Sequence, residues 1–256
     1  MGKKIVFEGL DSCGKETQYN LLRARLISEG YEVAAPISFP QYDEESSYFV
    51  RQYLDGYYGN DASSVPPKIA SMFFALDRYD FYHNVKNQAI IEHLNKPNTI
   101  AVFNRDVTSN LVFQTAKGNS EEEMIEIIDF ICDLEYGKFE IARPDMVVMP
   151  HMSLEQNIEL LKKRDVAANA IRNNMKNDIH EKDLDFLTRV HTASELIAKR
   201  LNFDIVNCMD SNGKLRTIED IHEEIYDRVK RKVLCRVQKR FWYFLKHTKQ
   251  RSFVCF

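Results

Sequence analysis

Apolar residues along this chain fall into five short runs, and between them lie longer stretches in which apolar positions recur at helical spacing. The runs are Ile5-Val6-Phe7, Tyr31 to Ala35, Thr99 to Phe103, Met146 to Met149 and Phe203 to Asn207, and each predicts a strand. The second run ends at Pro36. Helices are expected from Gln18 to Ser28, Asp43 through Tyr53, Lys68 to about Leu94, Asp106 through Ala116, Ser120 to Tyr136, Ser153 to near Arg164, Glu181 to about Leu201, and Thr217 to Lys230. Asp43, Glu44 and Glu45 put negative charge at the positive end of the second helix. Gly56 to Pro67, with its Gly, Asn, Asp, Ser and paired prolines, reads as a loop, and Asp165 to Asp178 is polar and weakly patterned.

Short buried strands alternating with helices predict an α/β fold, a five-stranded parallel sheet covered on both faces in three α/β/α layers. Such folds bind ligands at the C-terminal ends of the strands. The loops at Gly9, Ser38, Asn104 and Pro150 all fall on that edge, so residues distant in sequence converge there.

The first of these loops carries the strongest chemical signal. Gly9-Leu10-Asp11-Ser12-Cys13-Gly14-Lys15-Glu16-Thr17 joins the first strand to the first helix. Glycines at both ends let the backbone form a cup of inward N–H groups, and the helix that follows adds its positive dipole end. The spacing G-x-x-x-x-G-K is that of a P-loop, in which Lys15 reaches the β and γ phosphates of a nucleotide. The bland alternative is a glycine-rich turn that binds nothing; its place at the first strand-to-helix turn of an α/β chain favours phosphate. Transfer of a phosphoryl group to a second phosphate requires mainly alignment and charge neutralisation. Arg105, at the end of the third strand, is positioned to hold that acceptor phosphate, the alternative being a surface salt bridge.

Composition changes this picture little. The 256 residues are 44% hydrophobic and 29% charged, as in ordinary water-soluble domains. No apolar run approaches the roughly 18–20 residues of a membrane helix, and no secretory signal is expected ahead of the first strand. Five scattered cysteines (Cys13, Cys132, Cys208, Cys235 and Cys255) show no metal-ligand spacing and fit a reducing cytoplasm. The net charge of −3 hides an asymmetry: Arg228 to Phe256 holds ten Lys and Arg and no acid, while the preceding 227 residues carry −13. We therefore expect a domain over residues 1–228 and a basic, aromatic extension over 229–256. The extension is expected to pack its aromatics on the domain or a partner subunit. Association with an anionic surface is the second reading, and no nucleic-acid partner is expected.

Taken together, Phe7-Glu8-Gly9-Leu10-Asp11, Lys15-Glu16-Thr17-Gln18, Phe39-Pro40 with Tyr42, Phe74-Ala75-Leu76-Asp77-Arg78, Asn104-Arg105 with Thr108-Ser109-Asn110, Arg143-Pro144-Asp145 and Asp178-Ile179-His180-Glu181 occur in an order that resembles the thymidylate kinase family of nucleoside monophosphate kinases. The resemblance covers about residues 4 to 228. It implies a P-loop NTPase fold with a lid at 165–178, conversion of dTMP and ATP to dTDP and ADP with Mg²⁺, and a homodimer. ATP is then bound by Gly9, Asp11, Ser12, Cys13, Gly14, Lys15, Glu16 and Thr17, with Arg164 and Arg172 as lid arginines. The nucleoside monophosphate is bound by Asp11, Tyr42, Phe74, Arg78, Arg105, Ser109, Asn110 and Phe113. Within that set Phe74 stacks on the base, Arg78 and Asn110 read its edge, and Phe113 stands where some relatives have a tyrosine near the sugar.

Four positions depart from the family pattern: Glu16 for the loop hydroxyl, Asn104 for the strand-end aspartate, Asp106 for the aromatic after the arginine, and Gln41 for an arginine. Glu16 and Asp11 become the expected Mg²⁺ ligands, with Asp106 a further carboxylate. Two alternatives stay open: a nucleotide-binding regulatory protein that has lost efficient transfer, and a kinase for another deoxynucleoside monophosphate.

Overall fold

The structure is a computed structural model that describes residues 2–171 and 184–235, without the side chains of 164–171. Five strands form one sheet: β1 (Lys3–Phe7), β2 (Ile37–Ser38), β3 (Ile100–Asn104), β4 (Met146–His151) and β5 (Asp204–Asn207). All neighbours are parallel, in the order β2-β3-β1-β4-β5. From β1 the chain crosses to the edge strand β2, returns through β3, and then adds β4 and β5 on the other side, so the switch point lies beside β1, where α/β sheets hold their ligands.

Side-chain alternation along the strands divides the core. Val6, Ala101, Phe103, Val147 and Met149 point to one face. Ile5, Phe7, Ile100, Val102, Met146 and Val148 point to the other. The first face is covered by helices α3 (Pro67–His83), α5 (Val107–Thr115), α6 (Glu121–Ile131) and α8 (Leu184–Arg200), through residues such as Phe81, Leu111, Ile128 and Phe186. The second is covered by α1 (Lys15–Ser28) and α9 (Ile218–Val229), through Leu22, Leu26 and Ile225. A strand buried on both sides must be apolar throughout, which is why the strands read as continuous runs.

Several sequence expectations need correction. The second strand lies at Ile37–Ser38, after Pro36, and the apolar run before it contributes only a bridge from Val33 to Ile100. The helix expected from Lys68 to Leu94 is broken at Asn84, whose extended backbone and side-chain cap on Lys86 N–H start a new short turn before α4 (Gln88–Asn95). The helix of Ser120 to Tyr136 tightens into α6 and then widens into a π-helical segment, Cys132–Lys138. Helix α7 (Leu154–Ile171) runs past Arg164 into the expected lid; residues 172–178, with Arg172, lie outside the described residues. The core also continues beyond residue 228, since Val233 and Leu234 are buried against the second cluster. The remainder of the extension, 236–256, lies outside the described residues. Helix α2 (Tyr48–Leu54) packs on α3 around Val50, Tyr53, Leu54, Val65 and Ala70.

Behind this small cluster sits a buried lysine. Lys117 Nζ donates to Tyr53 Oη at 2.8 Å and to Val65 O at 3.3 Å, and Tyr53 Oη donates onward to Ala62 O at 2.8 Å. Burial pushes the Lys117 ammonium down to about 7, opposed by Asp61 and helped by Arg189. In the unfolded chain the amine titrates near 10.5, so between these values the unfolded state binds the extra proton and stability rises with pH. Below about 7 the charged amine exerts its full burial penalty. Lys117→Met is expected to stabilise the protein most at about pH 6, with the difference from wild type closing as pH rises toward about 10. Urea unfolding at a series of pH values measures it.

Candidate active site

The loop after β1 has the backbone that its glycines forecast. Gly9 lies at φ +144°, where a Cβ would meet Cys13 Sγ at 2.9 Å, and Gly14 caps α1 at φ +81°. Ser12 also takes a left-handed conformation, at φ 64°. Cys13 is buried, and that burial raises its thiol pKa. Lys15, the first residue of α1, folds its side chain back over the loop, with Nζ 3.4 Å from Gly9 O and 3.7 Å from Asp11 Oδ1. Glu16 and Thr17 point outward from the first turn and are exposed.

Arg105 comes to the same carboxylate from the other side. Its Nη2 donates to Asp11 Oδ1 at 2.7 Å, while Nη1 lies 3.4 Å from Glu8 Oε1 and 3.2 Å from Ser109 Oγ. Arg105 has φ +65°, the left-handed region, immediately after β3. The guanidinium packs over Phe113, 5.2 Å from the ring centroid. Burial alone would lower its pKa, but the charges of Asp11 and Glu8 raise it. Lys15 and Arg105 therefore meet at one carboxylate oxygen.

Next to them opens a cleft lined among others by Asp11, Tyr42, Phe74, Arg78, Arg105, Ser109, Asn110 and Phe113. This is the whole nucleoside-monophosphate set expected from the sequence, brought together from four separate segments. Phe74 meets Tyr53 edge-on, with centroids 6.2 Å apart. The Tyr42 ring is 51% exposed at the rim. The loop carrying it includes a cis Phe39–Pro40 peptide, and Asp77 holds it by accepting from Gln41 N–H and Ser46 Oγ, both at 2.8 Å.

Two residues at or beside the cleft, Glu135 and Gln114, were not anticipated. The Arg78 guanidinium is buried and doubly bonded to Glu135, Nε to Oε2 and Nη2 to Oε1 at 2.6 Å. Asn110 Nδ2 donates to the same carboxylate at 2.8 Å and to Ser71 O at 3.0 Å. Burial lowers the Arg78 pKa, and the adjacent Glu135 charge more than offsets it. Gln114, fully buried on the cleft wall, leaves both amide atoms without a protein partner, as does Asn110 Oδ1. Asp106, also in the lining, is neutralised from β1 by Lys4 at 2.7 Å. Glu135 lies in the π-helical segment, a geometry that apolar periodicity does not reveal. Gln114 follows Phe113 on α5 and was open to recognition as a polar residue on a buried face.

Oxygen ligands suited to a hard divalent cation are present at this edge: the Asp11 carboxylate, the exposed Glu16, and Asn104 Oδ1, which is buried with no hydrogen-bond partner. The Asn104 amide is oriented by Nδ2 donating to Ser38 Oγ at 3.2 Å. The residues fit a magnesium-bound phosphate group, with a neutral oxygen at the strand end in place of a charged one. The Arg164 side chain lies outside the described residues.

A parallel sheet with a glycine-bounded anion loop after its central strand, facing an arginine after the neighbouring one, defines a P-loop nucleotide-binding enzyme of the nucleoside monophosphate kinase class. The thymidylate kinase family profile matches residues 7–225, and the chain belongs to that family. The probable thymidylate kinase of Pyrococcus horikoshii is 24% identical over 234 residues, covering 91% of this chain and 98% of that one. That of Methanococcus maripaludis strain C7 is 28% identical over 165 residues, 64% of this chain and 68% of its own. The thymidylate kinase structure from Candida albicans shares the fold at a TM-score of 0.64, with 18% identity and coverage of 90% and 91%.

The Arg78–Glu135 pair gives a test of the cleft. Glu135→Leu, which strands a buried guanidinium, is expected to destabilise the protein by about 3–5 kcal/mol. The double variant Arg78→Met/Glu135→Leu should recover most of that loss, as read by urea unfolding.

Proposed function

We propose that this protein phosphorylates dTMP to dTDP with ATP. The observation that carries the reading is the convergence of Lys15 and Arg105 on Asp11 Oδ1, at 3.7 and 2.7 Å. Two cations that share one small anion are spaced to share a transferring phosphoryl group. ATP lies with its phosphates in the loop of Gly9 to Thr17, where Ser12, Cys13, Gly14 and Lys15 supply backbone N–H groups and the ammonium neutralises β and γ charge. Arg105 takes the phosphate of dTMP once Asp11 releases it, and Asp11 turns toward the sugar. Phe74 stacks on the base, and the unpaired amide atoms of Asn110 and Gln114 offer a donor and two acceptors to its edge. Arg78, held by Glu135, supplies positive potential behind that edge. Phe113 and Ser109 flank the sugar and the arginine.

Mg²⁺ would be held by Asn104 Oδ1 with Asp11 or Glu16 and would neutralise phosphate charge during transfer. The protein's own residues do the rest: they align donor and acceptor and exclude water from the gap. A second reading has support in one feature, the amide Asn104 at the strand end: a nucleotide-binding protein of the same fold with weak transfer. Incubation of ATP singly with dTMP, dUMP, dCMP, dGMP and dAMP, read for diphosphate by ion-exchange chromatography, separates them. dTDP should form fastest, and Lys15→Met and Arg105→Met should each lower kcat by about 10²–10³. No diphosphate from any monophosphate would favour the second reading, and a rise in kcat for Asn104→Asp would identify the amide as limiting.

The same reading makes the protein a homodimer in a reducing cytoplasm, in keeping with the free thiols of Cys13, Cys132, Cys208 and Cys235. No described helix is long and apolar enough to cross a membrane. On α3, Ile69, Met72, Leu76 and Tyr79 recur at helical spacing and are 40–48% exposed, a half-exposed apolar stripe on the helix that also carries Phe74. Leu76→Glu is expected to shift the protein to a monomer in sedimentation velocity, with the wild type sedimenting as a dimer.

A further inference from the structure

Outside the cleft lining, three side chains with metal-binding chemistry meet at the C-terminal end of β4. His151 is the last residue of that strand, and His191 and Glu195 stand four apart on α8, so they share one face of the helix. Each offers a ligand atom within 4.8 Å of the other two, the one such grouping of His, Cys, Asp or Glu among the described residues. His151 Nε2 lies 3.5 Å from Glu195 Oε1. That separation is about the edge of a tetrahedron whose metal–ligand bonds are about 2.0–2.1 Å. Distance alone is not the argument, because His93 Nε2 lies equally far, 3.5 Å, from Glu32 Oε1. The third ligand distinguishes the first pair from the second.

We propose that His151, His191 and Glu195 bind a divalent transition-metal ion of the zinc class that joins α8 to the end of β4. Two imidazoles and one carboxylate make a mixed nitrogen and oxygen set, which suits zinc and disfavours magnesium, an all-oxygen ion. The supporting contacts are those of a metal-binding histidine. Met152 O lies 3.2 Å from His191 Nε2, and in the tautomer that donates Nε2–H to it, Nδ1 keeps the lone pair a metal needs. His151 is fixed through its backbone, since Cys208 N–H donates to His151 O at 2.7 Å and the strand pairs it with Asn207. His151 and His191 are half-buried and Glu195 is exposed, so an ion has an open path and a fourth position for water. The site shares no residue with the cleft lining.

The test is titration of the full chain, free of nucleotide, with Zn²⁺ by calorimetry and with Co²⁺ by visible absorption. One equivalent should bind, with the absorption of tetrahedral Co²⁺ and without the charge-transfer band of a thiolate ligand. His151→Ala, His191→Ala and Glu195→Gln should each weaken binding by about tenfold or more, and the last of these changes only an exposed side chain. His93→Ala should leave binding unchanged. Absence of binding to wild type, equal binding to all variants, or a loss confined to one of the three would overturn the proposal.

Discussion

Everything at the binding edge depends on one buried carboxylate. Glu8 follows directly on β1 and is wholly inaccessible. Its Oε1 accepts from Gly9 N–H at 2.9 Å and lies 3.4 Å from Arg105 Nη1, while Oε2 accepts from Thr108 Oγ1 at 2.8 Å and Ser109 Oγ at 2.7 Å. A carboxylate taken out of water is costly unless each of its lone pairs is satisfied. Those satisfying groups come from the start of the phosphate loop, the end of β3 and the first turn of α5. Solvating one charge therefore fixes the anion loop relative to the arginine, which a phosphoryl-transfer site must do to about half an ångström.

The same logic repeats across the cleft. Arg78 is answered by Glu135, Arg105 by Asp11 and Glu8, and Asp106 by Lys4, each pair drawing its members from different elements. Buried pairs of this kind add little net stability compared with apolar packing, but removing one member is severe. Their value here is geometric, because they fix the rotamers of long side chains that would otherwise sample many positions. Asp106 shows how a departure from the family pattern is accommodated. In place of an aromatic, the chain buries a charge and supplies the balancing ammonium from the adjacent strand, where Lys4 also donates to Ala142 O at 2.9 Å and Tyr82 Oη at 3.1 Å.

The α/β class, the five strands and the anion loop were legible because burial on both faces and the steric needs of glycine leave direct marks on a sequence. Arg105 was legible from its place at a strand end, and the cleft residues from motif order. What escaped is what local pattern does not encode. Ile37 is buried, yet with Ser38 it makes a strand only two residues long, set by pairing with Phe103 and Asn104. Asn84 breaks a helix through a side-chain cap that competes with the helical ladder. Glu135 reaches Arg78 from a π-helical segment 57 residues away, and no spacing rule links the two. The histidines of β4 and α8 are 40 residues apart and look unremarkable until the sheet and helix are docked.

The cleft also shows where this fold spends stability. Asn110 Oδ1 and both amide atoms of Gln114 are buried without a protein partner, though the same chain satisfies nearly every polar group around Glu8. Unpaired buried groups each cost on the order of 1–3 kcal/mol unless water or a ligand reaches them. They line the cleft beside an aromatic ring and a held guanidinium. A ligand with complementary donors and acceptors recovers that cost on binding, while one lacking them leaves it in place. On the proposed reading, discrimination arises from groups the free protein leaves unsatisfied, and the incoming phosphate takes the place of Asp11 on Arg105 and Lys15.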